Sequence, residues 1–313
     1  MEGVNTVRRP IDLRAKVGRL QLDSPFMLAS GILGNEHSLI MRAYRAGASA
    51  VVTKTVFNNA RNGYTPPIYF ENEYYALNAV GLPGSGVEHF SEELALVKEE
   101  SKPLIASVGG TSPEEFSGVA QRVIDAGADA VELNLSCPHV AGTGSEIGSK
   151  PDLVKEVVLA VRDALPRALI FAKLTPNTHD IGELGKAAVE GGADGLTAVN
   201  TLRGTGFDVT LRAPLLSHGY GGVSGHALHP VALYAVQNLR TVLPDTPIIG
   251  VGGVYSIEDA LEFFIAGADA VQIGTAIRKR GLKIFGELRD DLATRLRNAR
   301  ASDFLKFKKE LRI

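Results

Sequence analysis

The 313-residue chain has a single cysteine, Cys137, and no tryptophan, and the scarcity of thiols excludes several kinds of site. An intramolecular disulfide needs two thiols, a structural zinc site usually needs several, and an iron–sulfur cluster is held by about four. Any iron–sulfur cluster that works with this chain must therefore belong to a partner.

The chain also has little net charge and no long hydrophobic run. Lys and Arg total 33 and Asp and Glu total 35, a balance that does not favour binding to nucleic acid or to an anionic membrane. No apolar stretch approaches the ~18 residues of a membrane span, and residues 1–10 contain no apolar core like that of a signal peptide. We therefore expect a cytoplasmic protein that binds neither nucleic acid nor membrane.

Four segments, 46–51, 126–131, 191–196 and 266–271, repeat one pattern of small residues around a glycine, followed by an aliphatic residue. Glycine suits the left-handed position just past a helix, and the aliphatic residues that follow suit a strand buried on both faces. Each copy therefore predicts a helix, a turn and a strand. Successive copies lie about two βα units apart, so further units should lie between them.

Eight candidate strands emerge, at 26–30, 50–55, 104–108, 130–135, 169–174, 195–199, 248–251 and 270–274, separated by helical patterns such as 112–126, 152–165, 178–190, 230–243 and 257–266. This alternation predicts an α/β fold, a single (β/α)8 TIM-barrel domain over residues 1–313. The long connections 56–87 and 200–227 both leave the carboxyl end of a strand, where barrels usually build an active site. We expect the charged segment 295–312 to form a solvated terminal helix.

Polar residues stand where several of these apolar strands end. Lys54 and Lys173 lie within apolar strands, and burial of a lysine is unfavourable unless an anionic or electron-rich group meets it. Cys137 follows the apolar segment 130–133 and precedes a glycine-rich stretch at 142–148. A lone cysteine is often a small buried hydrophobe, but at the carboxyl end of a barrel strand its thiol is a candidate catalytic group.

Glycines cluster after the last barrel strands, at 252–253, at Gly274 and in the run 221–225. Barrels often bind phosphate there through backbone N–H groups, so these glycines predict a site for the phosphate and ribityl chain of flavin mononucleotide (FMN). No G-x-G-x-x-G follows the first strand, which argues against a dinucleotide-binding fold. His226 and His229 are spaced like metal ligands, but they lack a nearby Cys or carboxylate partner, and we predict no metal site.

The chain resembles the dihydroorotate dehydrogenases over nearly its whole length. The matching runs are 29–31, 53–55, 77–82, 134–138, 173–177, 200–202, 221–225 and 251–254. The resemblance implies a flavin-dependent barrel that oxidises dihydroorotate to orotate in pyrimidine synthesis. It also implies that Cys137 is the base that removes the C5 proton while hydride leaves C6 for the flavin, as in the soluble cysteine class of the family.

The same resemblance implies the other site residues. Those that would contact substrate are Lys54, Asn78, Val80, Gly81, Leu82, Asn134, His139, Asn200 and Thr201. Those that would contact FMN are Ala29, Ser30, Gly31, Lys54, Thr55, Asn134, Lys173, Val199, Gly225, Gly252, Gly253, Gly274 and Thr275. We expect Lys173 at the pyrimidine edge of the flavin, where a cation would stabilise the anionic reduced ring.

One position departs from the family pattern, because His139 stands where most dihydroorotate dehydrogenases have asparagine after Cys-Pro. Dehydrogenases that reduce uracil and thymine share this histidine, so a dihydropyrimidine dehydrogenase-like enzyme is the alternative. Those reductases have an acidic residue where Val80 stands, whereas Gly81 here leaves backbone N–H groups open to a substrate carboxylate, which favours orotate. A barrel that binds flavin and metabolite without turnover is a further alternative.

Members of the soluble class use different electron acceptors. Some are homodimers that reduce fumarate, and others add a subunit with FAD and an iron–sulfur cluster and reduce NAD. The segments 147–151, 207–208 and 212–215 look closer to the partner-dependent form. We therefore expect NAD as acceptor through an FAD and [2Fe-2S] subunit on a homodimeric core, with fumarate as second choice.

Overall fold

The computed structural model describes residues 11–97, 102–136 and 147–311. Its strands, in chain order, are β1 (Ala15–Val17), β2 (Leu20–Leu22), β3 (Phe26–Leu28), β4 (Val51–Val52), β5 (Tyr69–Glu71), β6 (Ala76–Asn78), β7 (Leu104–Val108), β8 (Ala130–Asn134), β9 (Leu169–Leu174), β10 (Gly195–Ala198), β11 (Leu202–Gly204), β12 (Phe207–Asp208), β13 (Ala213–Pro214), β14 (Gly221–Ser224), β15 (Ile248–Val251) and β16 (Ala270–Ile273). Its α-helices are α1 (His37–Arg45), α2 (Val87–Val97), α3 (Pro113–Asp125), α4 (Pro151–Ala164), α5 (Ile181–Glu190), α6 (His229–Val242), α7 (Ile257–Ala266), α8 (Ala276–Arg280), α9 (Ile284–Asn298) and α10 (Phe304–Leu311).

Eight of these strands close into a parallel barrel, which confirms the predicted fold class. The order around the barrel is β3, β4, β7, β8, β9, β10, β15 and β16, and β16 pairs with β3 to complete the ring. Strands β7 and β8 are buried along their whole length, as a sheet covered by helices on its outer face requires. The eight strands match the eight predicted segments, although β4 has only two residues in strand conformation.

The repeated glycine pattern has the conformation that was predicted for it. Gly47, Gly127, Gly192 and Gly267 have φ of +105°, +114°, +101° and +114°. An L-residue with a side chain rarely adopts these values, so each glycine lets a helix end and the chain turn into the next barrel strand.

The two long connections are more ordered than the sequence pattern indicated. They contribute β5 and β6 from one and β11 and β14 from the other, and these form a four-stranded antiparallel sheet in the order β11-β14-β6-β5. In its central pair, Gly222 lies opposite Asn78. The prediction missed this sheet because its strands are short and the β14–β6 pairing joins segments far apart in sequence.

The prediction of one solvated terminal helix was wrong. Within this segment, residues 295–298 belong to α9 and residues 304–311 form the separate helix α10, which packs on the core. Phe304 is fully buried and packs edge-to-face on Phe264 with ring centroids 4.9 Å apart, while Lys308 is buried and reaches Asp269 at 2.5 Å. Within the described ranges, no helix is both long enough and apolar enough to cross a bilayer.

Candidate active site

The predicted site residues within the described ranges gather at one end of the barrel, where the carboxyl ends of the parallel strands meet. This convergence follows from the topology, because residues after β4, β8, β10, β15 and β16 all leave the barrel at the same rim. The sheet formed by β11, β14, β6 and β5 adds Asn78 to that group.

A chain of side-chain hydrogen bonds joins three of these strands. Asn200 Nδ2 donates to Asn134 Oδ1 at 2.9 Å, and Asn134 Nδ2 donates to Thr55 Oγ1 at 3.0 Å. The Thr55 hydroxyl in turn lies 3.0 Å from the hydroxyl of Ser107, and the Thr201 N–H donates to Asn200 Oδ1 at 2.8 Å. Each amide is therefore held in a defined orientation, as recognition of a ring with alternating donors and acceptors requires.

Thr201 and Asn78 meet at Gly222 on β14. A Cβ placed on Gly222 would lie 2.1 Å from Thr201 Oγ1, so the threonine side chain occupies the space that only glycine leaves. Asn78 Nδ2 donates to the Gly222 carbonyl at 3.2 Å. Four of the predicted substrate residues, Asn78, Asn134, Asn200 and Thr201, are thus linked through short contacts.

Lys54 lines a pocket of about 330 Å³ together with Thr55, Phe57, Arg61 and Leu82. Partial burial lowers the pKa of Lys54, because removing an ammonium group from water disfavours its charged form. An anionic ligand in this pocket would offset that penalty.

Of the predicted substrate segment 80–82, Leu82 lines this pocket, and Val80 and Gly81 directly precede it. The Val80 carbonyl accepts from Tyr64 N at 3.0 Å, and Gly81 and Leu82 have φ of +75° and +54°. A Cβ on Gly81 would lie 2.6 Å from Tyr64 N, so only glycine fits against the adjacent backbone segment at Tyr64.

The Lys173 side chain is 8% exposed and pairs with a buried carboxylate that was not predicted from the sequence. Its Nζ lies 3.1 Å from Glu132 Oε1, and Glu132 also accepts from Thr197 Oγ1 at 3.0 Å and Gln272 Nε2 at 2.6 Å. Glu132, Thr197 and Gln272 come from the fourth, sixth and eighth barrel strands, which contribute to one layer of the barrel interior. A polar residue inside each of these apolar strands was the signal in the sequence.

The glycines predicted to hold a phosphate lie close together. Gly225, Gly252 and Gly253 have φ of +86°, +143° and +71°. A Cβ on Gly253 would lie 2.9 Å from the Gly225 carbonyl oxygen and 2.8 Å from the Cβ of His229, so the two glycine segments pack backbone to backbone. Thr275 Oγ1 donates to Ser224 Oγ at 2.9 Å, which ties the end of β16 to β14.

The remaining predicted flavin residues line the first and sixth strand ends. The Ala29 N–H donates to Ile273 O at 3.0 Å, and a Cβ on Gly274 would lie 3.4 Å from Ala29 Cβ. Ser30 and Gly31 follow Ala29, with Gly31 at φ +91°. Val199 is buried and its N–H donates to Val251 O at 3.0 Å.

The predicted base Cys137 and the predicted substrate residue His139 lie outside the described residues. The described chain reaches Ser136, whose hydroxyl is buried and has no hydrogen-bond partner among the described atoms. Asn134, two residues earlier, lies in the asparagine–threonine chain described above.

Comparison with known proteins gives a consistent result. A family model described as dihydroorotate dehydrogenase matches residues 12–296. Among curated proteins, the chain is 45% identical over 278 residues to the dihydroorotate dehydrogenase B (NAD(+)) catalytic subunit of Pyrococcus abyssi, covering 89% of this chain and 92% of the relative. It is 47% identical over 276 residues to the protein of the same name from Methanothermobacter thermautotrophicus, covering 87% and 89%.

Proposed function

Because the chain belongs to the dihydroorotate dehydrogenase family, we propose that it oxidises (S)-dihydroorotate to orotate in pyrimidine biosynthesis, with FMN as its cofactor. The observation that carries the proposal is the linked set of Asn78, Asn134, Asn200 and Thr201 at the barrel mouth. Amide and hydroxyl groups in fixed orientations match the alternating N–H and C=O groups of a dihydropyrimidine ring.

The carboxylate distinguishes dihydroorotate from uncharged dihydropyrimidines, and the pocket provides for it. Lys54 contributes a cation whose charged form is disfavoured by partial burial, so an anion bound there gains from the pairing. Leu82 lines the same pocket, and both it and the preceding Gly81 have positive φ. We assign the carboxylate to this side of the site.

A second group of residues at the mouth fits FMN. Gly225, Gly252 and Gly253 approach one another as closely as glycine allows and would hold the phosphate through backbone N–H groups, with Gly274 and Thr275 beside them. Tyr255 is close to Gly225, and burial raises the pKa of its phenol to about 12, so it is a neutral hydrogen-bond donor at physiological pH. Lys173 would face the pyrimidine edge of the flavin from β9. When bound, the flavin supplies the two-electron oxidant that accepts hydride from C6.

Cys137 is the proposed base. It follows Asn134 by three residues in the sequence, and Asn134 and Asn200 are the residues proposed to hold the substrate ring. The thiolate removes the C5 proton, and Asn134 and Asn200 hold the ring during the transfer. An ordinary thiol has a pKa of about 8.5, so the rate should rise with pH until the thiol is ionised.

The acceptor is proposed to be NAD, reached through a partner subunit that carries FAD and a [2Fe-2S] cluster, on a homodimeric catalytic core in the cytoplasm. The relatives support this acceptor, because their names specify NAD(+) and a catalytic subunit. One cysteine in the chain also means that an iron–sulfur cluster must be bound elsewhere. The isolated chain should therefore reduce dyes but little NAD, and robust NAD reduction by it alone would contradict the two-subunit arrangement.

The test is anaerobic bleaching of the visible flavin absorption by dihydroorotate, dihydrouracil and dihydrothymine, each added separately. We expect rapid bleaching by dihydroorotate alone, and its loss in Cys137→Ala. The matched variant Cys137→Ser keeps a group that can carry the proton and should retain more activity than alanine. Bleaching only by the uncharged compounds would instead support the alternative that His139 suggests, a dihydropyrimidine dehydrogenase-like enzyme.

A further inference from the structure

His229, the first residue of α6, is buried beneath the paired glycines and is hydrogen-bonded at both ring nitrogens. Its Nδ1 lies 3.0 Å from the Gly252 carbonyl oxygen, and its Nε2 lies 2.8 Å from Glu262 Oε2. The expectation that His229 lacks a nearby carboxylate was therefore wrong, because Glu262 is remote from it in sequence but adjacent in the fold. The ring also packs edge-to-face on Phe263, with centroids 5.3 Å apart, which fixes its orientation.

Both partners of this ring are acceptors. A backbone carbonyl has no proton to donate, and Glu262, whose side chain is 56% exposed, is a carboxylate at neutral pH. The carbonyl can only accept, so Nδ1 carries a proton and donates to it, while Nε2 faces the Glu262 carboxylate. Asp259 lies near Glu262 but is engaged elsewhere, since its carboxylate accepts from the N–H groups of Tyr255 and Ser256. The contacts therefore hold the ring in one orientation under the glycine turn, with Nδ1 directed at the Gly252 carbonyl.

The Gly252 carbonyl belongs to the same peptide unit as the Gly253 N–H. In a trans peptide these two groups point in opposite directions, so holding the carbonyl on His229 turns the Gly253 N–H away from His229. A hydrogen bond to the carbonyl also polarises the peptide and makes its N–H a stronger donor. Gly252 and Gly253 have φ of +143° and +71°, and glycine backbones are flexible. Without the hydrogen bond from His229, the peptide between them could therefore adopt more than one orientation.

We propose that His229 is a positioning residue for the cofactor phosphate, orienting and polarising the Gly252–Gly253 peptide so that its N–H binds a phosphate monoester, with Glu262 holding the imidazole ring in place. This inference rests on the proposed FMN function and goes beyond it, because it assigns the discrimination between phosphorylated and unphosphorylated flavin to a side chain that does not touch the flavin ring. Hydrogen bonds thus link Glu262 to His229 and His229 to the Gly252 carbonyl, whose peptide unit carries the Gly253 N–H.

The experiment compares the affinity of flavin-free protein for FMN and for riboflavin, which lacks the phosphate, by quenching of flavin fluorescence. In His229→Leu we expect the Kd for FMN to rise at least tenfold while the Kd for riboflavin changes by less than twofold. His229→Asn keeps a donor near the position of Nδ1 and should recover part of the FMN affinity. Glu262→Gln should weaken FMN binding less than His229→Leu does.

His226 provides the matched control. It lies three residues earlier, is exposed, and stacks on Tyr255 with ring centroids 4.5 Å apart. His226→Phe keeps an aromatic ring on Tyr255 and should leave both affinities within twofold of the wild-type values. Circular dichroism and the thermal midpoint establish that each variant is folded, and if His229→Leu is not, the comparison is made with His229→Asn.

The possible results separate the two proposals. Unchanged FMN affinity in folded His229 variants, or equal loss of FMN and riboflavin affinity, overturns the role in phosphate binding while leaving the flavin-dependent function standing. A wild-type protein that binds neither flavin contradicts the proposed function, and this inference falls with it.

Discussion

Replacing Glu132 by methionine should destabilise the protein more than replacing its partner Lys173 in the same way. The two side chains are 0% and 8% exposed and lie 3.1 Å apart inside the barrel. Removing one member of a buried pair leaves an uncompensated charge and typically destabilises by about 3–5 kcal/mol. We expect a loss of this size from Lys173→Met, where Glu132 still accepts from Thr197 and Gln272.

Glu132→Met has a larger expected effect because it removes the acceptor of three donors. Besides Lys173, it leaves the Thr197 hydroxyl and the Gln272 amide without this partner, and an unsatisfied buried donor costs about 1–3 kcal/mol. The total should exceed about 5 kcal/mol, which is comparable to the whole stability of a marginal domain. In the double variant both charges are gone, so its loss should fall short of the sum of the single losses by about 3 kcal/mol.

Urea unfolding of the flavin-free protein, followed by far-ultraviolet circular dichroism, measures these losses, since the chain has no tryptophan to report by fluorescence. Glu190→Met is the matched control, because Glu190 pairs with Lys155 at a similar 2.9 Å but on the exposed surface, where ion pairs contribute little. A loss below about 1 kcal/mol in Glu132→Met, or additive losses in the double variant, would refute the reasoning.

Three further predictions concern the mouth of the barrel. Gly34→Ala should disturb the strand end that carries Lys54 and weaken substrate binding, because the new Cβ would lie 2.5 Å from Thr53 Cα. Its control is Gly118→Ala on an open face of α3, which should raise the free energy of unfolding in urea by about 0.5–1 kcal/mol. Burial lowers the pKa of Lys54, so its ammonium loses its proton at a lower pH than that of an exposed lysine. The KM for dihydroorotate should therefore rise as the pH is raised, and this alkaline rise in KM should be absent in Lys54→Met. Asn200→Ala should lower kcat/KM by about tenfold or more, because about 1.5 kcal/mol or more of binding energy is lost. The thermal midpoint of the variant should change little. Wild-type kinetics in this variant would contradict the assignment of Asn200 to substrate binding.

The barrel itself was predictable from local chemistry. The Gly-Ala pattern at 46–51 and its three copies specifies helix ends, because glycine alone tolerates the positive φ found at all four positions. Apolar segments such as 104–108 specify strands buried on both faces. Residues at strand ends then had to share one rim, so the grouping of Asn134 and Asn200 followed from the fold class.

Other features depended on contacts between segments remote in sequence. The sheet that carries Asn78 forms because β6 pairs with β14, and the pattern within either segment does not specify that partner. The position of α10 likewise depends on a contact remote in sequence, because Phe304 of α10 packs edge-to-face on Phe264 of α7. Short strands and short helices carry weak local signals, and their conformation is decided by what covers them.

The sequence by itself determined the barrel, its family and the residue types available for the chemistry, because these depend on local preferences and on motifs that the chain carries directly. Only the tertiary structure showed that Lys173 is paired with Glu132 and that His229 bridges Gly252 and Glu262. Pairing of buried polar groups is a property of three-dimensional proximity, since each group must find a partner and that partner need not be near it in the chain.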